Sequence, residues 1–237
     1  MNANAAVATR TPQDFKSNVK PVWCPGCGDY SVLAAIAKAF AKLELRPENV
    51  AVISGIGCSS RIPAYTHCYG FHGVHGRALA LGTGVKLARP DLTVLVAGGD
   101  GDGYSIGGNH FLHACRRNVD MSYIVMDNRV YGMTKGQASP TTEPDWEFSK
   151  LTPEGTGLRE FHPVGLASTR IFNPARPPVE HRGLWAVLVS EQDQGATDLE
   201  VLYHELPGYM PMPLRDAHPD LKTYLETGKP MWEGSWA

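Results

Sequence analysis

The sequence predicts an α/β protein built on a doubly wound, mostly parallel sheet. Short β-branched runs alternate with longer helical stretches, the order a parallel sheet requires. Segments rich in glycine and aspartate follow those runs, where ligands sit in open α/β sheets. The 237 residues, 43% hydrophobic and 19% charged, suffice for one large domain with a sizeable core.

The elements follow in chain order. Residues 1–20 read as an extended N-terminal arm ending at Lys20-Pro21, and residues 21–190 as the α/β domain. Residues 30–43 are Ala-rich, with apolar spacing suited to a helix. Residues 50–54 form a β-branched run bounded by Gly55, hence a buried strand. Residues 76–88 predict a helix of small side chains stopped by Pro90, and 92–97 a second buried strand. Residues 105–117 predict a helix and 121–126 a third strand, ended by Asp127-Asn128. Twelve of the 18 prolines lie from Pro140 onward, so regular structure thins out there. A strand at 184–190 and a short helix near 221–227 remain. Residues 191–237 read as an extension wrapping the domain or a partner subunit.

A net charge of −2 gives no basis for a nucleic-acid or membrane surface, and no apolar run reaches the length of a membrane span. Residues 1–10 lack the basic start and apolar stretch of a secretory signal, so a cytoplasmic, reducing compartment is expected. There, cysteines serve more often as metal ligands or catalysts than as disulfides, and five is an odd count for a closed disulfide framework.

The segment Gly98-Gly99-Asp100-Gly101-Asp102 closes the second strand, and Asn128 follows the next. Glycines let backbone N–H groups approach a diphosphate closely. Asp100 and Asn128 supply hard oxygens for a Mg²⁺ bridging that diphosphate, and the carbonyl of Val130 completes the protein ligands. A Gly/Asp turn plus a strand-ending Asp-Asn is the plainer reading. With a helix between them, both strand ends reach one edge, and the pattern resembles the thiamin diphosphate motif.

Cys24-Pro-Gly-Cys27 places two thiols on one tight turn, and Cys58 follows the first strand. Such spacing suits zinc or an iron–sulfur cluster; a redox dithiol is the other reading. His72 and His75 lie in a Gly-rich turn, where either can donate to a diphosphate or a substrate oxygen, or be satisfied by backbone. His67, His110 and His113 have weaker claims.

Six ordered segments together resemble the β subunit of 2-oxoacid:ferredoxin oxidoreductases. They are Trp23–Tyr30, Ile53–Arg61, Gly70–Ala78, Gly99–Asp102, Ser105–His110 and Asp127–Gln137, within a stretch from Trp23 to Thr141 that is about half of the chain. The resemblance implies the thiamin diphosphate-binding fold. It implies cofactor contacts from Gly57, Ser59, His72, His75, Gly99, Asp100, Gly101, Asp102, Asn128, Tyr131, Gly132 and Met133. It also implies a 4Fe–4S cluster on Cys24, Cys27 and Cys58. The family's fourth cysteine falls where this chain reads Ser190-Glu191-Gln192, leaving Cys68, Cys115, a non-cysteine donor, a three-cysteine cluster or no cluster.

The implied reaction is oxidative decarboxylation of a 2-oxoacid to its acyl-coenzyme A, with electrons passed through the cluster to ferredoxin. No glutamate here suits the cofactor's pyrimidine ring. The family places that residue on an α subunit, so an αβ or α₂β₂ partner is expected. His75 and Lys135 are the candidate catalytic residues. Lys135, just beyond the Asn128 turn, can pair with a second substrate carboxylate, favouring 2-oxoglutarate over pyruvate; a solvated loop lysine is the alternative. Two other functions fit parts of the pattern: a redox-neutral thiamin diphosphate decarboxylase or ligase subunit, and a degenerate zinc-binding regulatory subunit.

Overall fold

The computed structural model describes residues 10–146, 153–168 and 185–190. Most of the arm's first half (residues 1–9), the expected helix near 221–227 and the extension 191–237 lie outside them.

Each predicted strand exists, and all run parallel: β1 (Val50–Ser54), β3 (Thr93–Gly99), β4 (Ser122–Asp127) and β7 (Trp185–Ser190). A further parallel strand, β2 (Tyr69–His72), lies outside β1, giving the order β2-β1-β3-β4-β7. The chain moves outward from β1 to β2 and then crosses back to β3. The carboxyl ends of β1 and β3 therefore flank the reversal point where open α/β sheets form their ligand crevice.

Alternation along the strands divides the core in two. Val50, Val52, Leu95, Ala97, Ile124 and Met126 share one core with Val32, Leu33, Ile36 and Phe40 of helix α1 (Asp29–Lys42). Ala51, Ile53, Val94, Val96, Tyr123 and Val125 share the other. Their partners there come from α3 (Ala78–Ala88) and α4 (Gly108–Arg117), notably Leu79, Phe111 and Ala114. Helices on both faces make the sheet doubly wound. Burial on both faces explains why β1, β3 and β4 read as apolar runs.

Residues 10–20 depart from the extended arm. Pro12–Phe15 form a 3₁₀ turn capped by Asp14, which accepts the Thr11 N–H at 2.7 Å. The turn drives Phe15 into full burial, edge-on to Phe40 at 5.5 Å. A buried phenylalanine contributes about 1.5–3 kcal/mol, enough to tie the arm down.

Three further pieces were not legible in the sequence. One is the exposed four-residue β2. Another is the single turn α2 (Ile62–Tyr65). The third is a hairpin pairing β5 (Val130–Tyr131) with β6 (Gln137–Ala138). In addition, the chain from Gly101 to Ile106 is wound as a π-helix, so regular α4 begins only at Gly108, not at Ser105.

Candidate cofactor and metal site

Everything chemically rich converges on the carboxyl ends of β1, β3 and β4. In the parallel register Gly99 lies opposite Met126, so Asp100 and Asn128 leave neighbouring strands at the same edge. A π-helix directly after a strand is a recurrent device at functional sites. Here it sends two aspartates, two residues apart, to opposite sides of β3.

Asp100 faces the end of β4. Its carboxylate is almost fully buried, and burial pushes its pKa up to about 6, with the neighbouring charge of Asp127 adding to the rise. Hydrogen bonds from Ser139 and Thr141 work in the other direction. Burial likewise raises Asp127. The Thr141 hydroxyl lies 2.7 Å from Asp127 Oδ1 and 3.2 Å from Asp100 Oδ2. It has one proton for two carboxylates. Among the described residues neither aspartate has an ion-pair partner; Arg129 is engaged by Glu143. The cluster thus concentrates more negative charge and acceptor capacity than its donors balance. That is the donor chemistry of a divalent cation site. Asn128 accepts the Val130 N–H at 3.1 Å, holding its amide in the turn beside Asp127. These residues fit Mg²⁺.

Asp102 faces the other way, toward β1 and β2. It is almost fully buried, and its Oδ1 gathers the Ile56 N–H at 3.0 Å, the Gly76 N–H at 2.7 Å and His75 Nδ1 at 2.7 Å. One carboxylate oxygen therefore joins the loop after β1 to the turn after β2. Gly55 allows this approach: a Cβ there would lie 2.0 Å from Asp102 Oδ2. Gly76 holds φ +68°, which a side chain resists, and a Cβ there would meet the backbone of Gly107 at 2.6 Å. Asp102, expected among the cofactor contacts, holds neighbouring loops through Oδ1, and His75 is half-buried beside it.

The other expected residues distribute as follows. Ser59 is buried, and its hydroxyl would lie 3.2 Å from a Cβ on Gly99, so these two approach closely. Tyr131 donates to the Gly101 carbonyl at 3.1 Å and packs edge-on to the His75 ring at 6.4 Å. Gly57 has φ +124° in the loop after β1. His72 is exposed at the end of β2, and Gly132, Met133 and Lys135 are exposed in the β5–β6 turn. Lys135 adopts a left-handed φ of +79°, as does Arg129 at +59°. His110 and His113 lie within α4.

Sequence reasoning missed Asp127, Ser139 and Thr141. Their signal was the Ser139-Pro-Thr-Thr142 run, a polar stretch that is buried except for its half-buried proline.

Cys24 and Cys58 are exposed and Cys27 half-buried. The Trp23 indole donates to the Cys58 carbonyl at 2.8 Å, tying the two cysteine loops together. Among the described residues no three His, Cys, Asp or Glu side chains are gathered to hold a single metal ion. Thiolates on two tied loops do have the chemistry that holds an iron–sulfur cluster. Cys68 and Cys115 fit less well. Burial pushes both thiols up to about 11, and Cys115 packs in the core on the opposite face of the sheet from Cys27. Burial disfavours the ligating thiolate in both, though Cys68 packs against the same core cluster as Cys27.

Residues 55–170 match the family described as thiamine pyrophosphate enzyme, C-terminal TPP binding domain. The chain is 47% identical over 209 residues to the 2-oxoglutarate oxidoreductase subunit KorB of Mycobacterium tuberculosis, covering 85% of this chain and 56% of that protein. It is 52% identical over 135 residues to the 2-oxoglutarate synthase subunit KorB of Methanocaldococcus jannaschii, covering 57% of this chain and 50% of that one. The chain thus spans about half the length of the curated relatives it matches. A solved 2-oxoglutarate:ferredoxin oxidoreductase from Magnetococcus marinus, with 2-oxoglutarate, coenzyme A and succinyl-CoA bound, superposes with a TM-score of 0.67 at 40% identity. That match covers 78% of this chain and 69% of the solved one. With a thiamin diphosphate-binding domain whose strand ends carry Asp100, Asp102 and Asn128, the chain belongs to the family of 2-oxoacid:ferredoxin oxidoreductase β subunits.

Proposed function

We propose that this chain is the thiamin diphosphate-binding β subunit of an enzyme that oxidatively decarboxylates a 2-oxoacid, 2-oxoglutarate foremost, to its acyl-coenzyme A. The observation that carries the reading is the neighbouring exit of Asp100 and Asn128 from β3 and β4, beside an acidic cluster short of cations.

The cofactor, when bound, supplies the electron sink that lets the carboxylate leave as CO₂. Asp100, Asn128 and the Val130 carbonyl would hold a Mg²⁺, which would supply positive charge to the cofactor's diphosphate. Cys24, Cys27 and Cys58 would hold a 4Fe–4S cluster, which would supply one-electron transfer toward ferredoxin. Its fourth position is left to Cys68, a non-cysteine donor or a three-cysteine form.

The chain's own residues do the rest. Glycines 99 and 101 bring backbone close to the diphosphate. Tyr131 braces the π-turn through Gly101. Exposed Lys135 stands beyond the Asn128 turn, free to meet the second carboxylate of 2-oxoglutarate. Ile56, Val74, Ile106 and Met133 are 41–67% exposed on segments near these strand ends, a surface suited to an α subunit. No described helix is long and apolar enough to cross a membrane, in keeping with a cytoplasmic enzyme.

The test is anaerobic co-expression with the α partner. The expected result is a brown protein with about four irons per β chain and viologen reduction that needs both 2-oxoglutarate and coenzyme A. A colourless, zinc-loaded complex inert toward every 2-oxoacid overturns the reading.

A further inference from the structure

We infer that Asp102 is a positioning residue that fixes neutral His75 as its Nδ1–H tautomer, making Nε2 a proton acceptor rather than a hydrogen-bond donor. The argument is one of counting protons around a single oxygen. Two backbone N–H groups, of Ile56 and Gly76, already point at Asp102 Oδ1. A proton placed on that oxygen would face both, so Oδ1 is an acceptor. Nδ1 of His75, 2.7 Å away, must then donate. The conclusion holds whether or not the other oxygen, Oδ2, carries a proton, since Oδ2 has no hydrogen-bond partner among the described residues.

A neutral imidazole protonated on Nδ1 bears its lone pair on Nε2. Asp102 is nearly fully buried, whereas 40% of the His75 side chain is accessible. The accessible member of this pair is therefore the imidazole, held in a fixed orientation through Nδ1. A neutral His75 cannot donate through Nε2 to a diphosphate. It can take a proton there as a substrate-derived hydroxyl returns to a carbonyl, and the imidazolium so formed can give that proton back when a 2-oxoacid's carbonyl oxygen next becomes a hydroxyl. That last role rests on the function proposed above; the tautomer does not.

Two measurements test the inference. In the full chain labelled with ¹⁵N-histidine at about pH 8.5, where ordinary histidines are neutral, long-range ¹H–¹⁵N spectra give the tautomer of each ring. The His75 signals are those lost in His75→Gln. A protonated Nδ1 and a bare Nε2 are expected; a protonated Nε2 overturns the inference, whatever the enzyme's activity.

The second measurement uses the assembled enzyme with 2-oxoglutarate. Asp102→Asn keeps an oxygen for Ile56 and Gly76 but replaces the carboxylate that faces the ring. Asp102→Asn and His75→Gln are each expected to lower kcat about 100-fold with KM little changed. The double variant should fall no further than either single one, because Asp102 acts through His75. Multiplying losses in the double variant, as expected if Asp102 merely holds loops, overturn the positioning role. An assembly that oxidises no 2-oxoacid sinks the proposed function but leaves the spectrum to decide the tautomer.

Discussion

Asp100 and Asp102 sit two residues apart, both almost fully buried, yet their surroundings are opposites. Asp102 is met by N–H groups from two loops and an imidazole, all on one oxygen. Asp100 is met by hydroxyls, with a second acid nearby and no cation bonded to it among the described residues. One carboxylate holds its own loops together. The other is left electrostatically incomplete, and that imbalance is the ground for proposing it, rather than Asp102, as the ligand of an incoming cation. Residue type and burial alone would not separate them.

The comparison breaks most readily at Asp100. Asp100→Ala should weaken Mg²⁺-dependent thiamin diphosphate binding by at least about 100-fold in titration calorimetry. Unchanged cofactor affinity would remove the metal assignment.

Next in size is a pH effect. Because the folded carboxyl of Asp100 ionises at about 6 rather than 3.8, the folded chain holds an extra proton between those values. Stability without metal then falls as pH rises through that window. Asp100→Asn removes the effect. It should stabilise the metal-free chain by roughly 3 kcal/mol at pH 7 and hardly at all at pH 4, by chemical denaturation. Excess Mg²⁺ with thiamin diphosphate should reverse the order at pH 7. Equal stabilities of the two proteins at both pH values would show that the acidic cluster is already balanced.

On the other side of β3, Gly55→Ala should cost about 1–3 kcal/mol, because its methyl group meets the Asp102 carboxylate. It should also disturb the His75 signals while leaving those of His110 and His113 in place. A neutral substitution would mean that the Asp102 junction is loose.

The smallest effect expected is at exposed Lys135. Lys135→Ala should raise KM for 2-oxoglutarate about tenfold and leave that for pyruvate nearly unchanged, in viologen assays with both acids. Parallel changes would remove the specificity argument.

The uneven legibility of the sequence has the same origin as this contrast. Strands β1, β3 and β4 were readable because burial on both faces writes itself as consecutive valines, isoleucines and leucines. Strand β2, in contrast, is four exposed residues including Gly70, held by pairing with β1 rather than by its own pattern. Phe15 was hidden in a polar arm because one buried aromatic has no period. At the site, Asp100 and Asn128 could be found because their strand context and spacing are local. The partners that define their roles could not. Thr141 reaches Asp100 across 41 positions, and Asp102 reaches Ile56 across 46. Such pairings are products of the sheet order and leave no local mark.

The π-wound turn from Gly101 to Ile106 also fixes how far this segment can drift in length. Helix α4 emerges from it with Phe111 and Ala114 aimed inward. Removing one residue would rotate that helix by about 100° on its axis and turn both side chains toward water. The segment can exchange its side chains more readily than its residue number, since the phase of a whole helix is set by one extra step in its first coil.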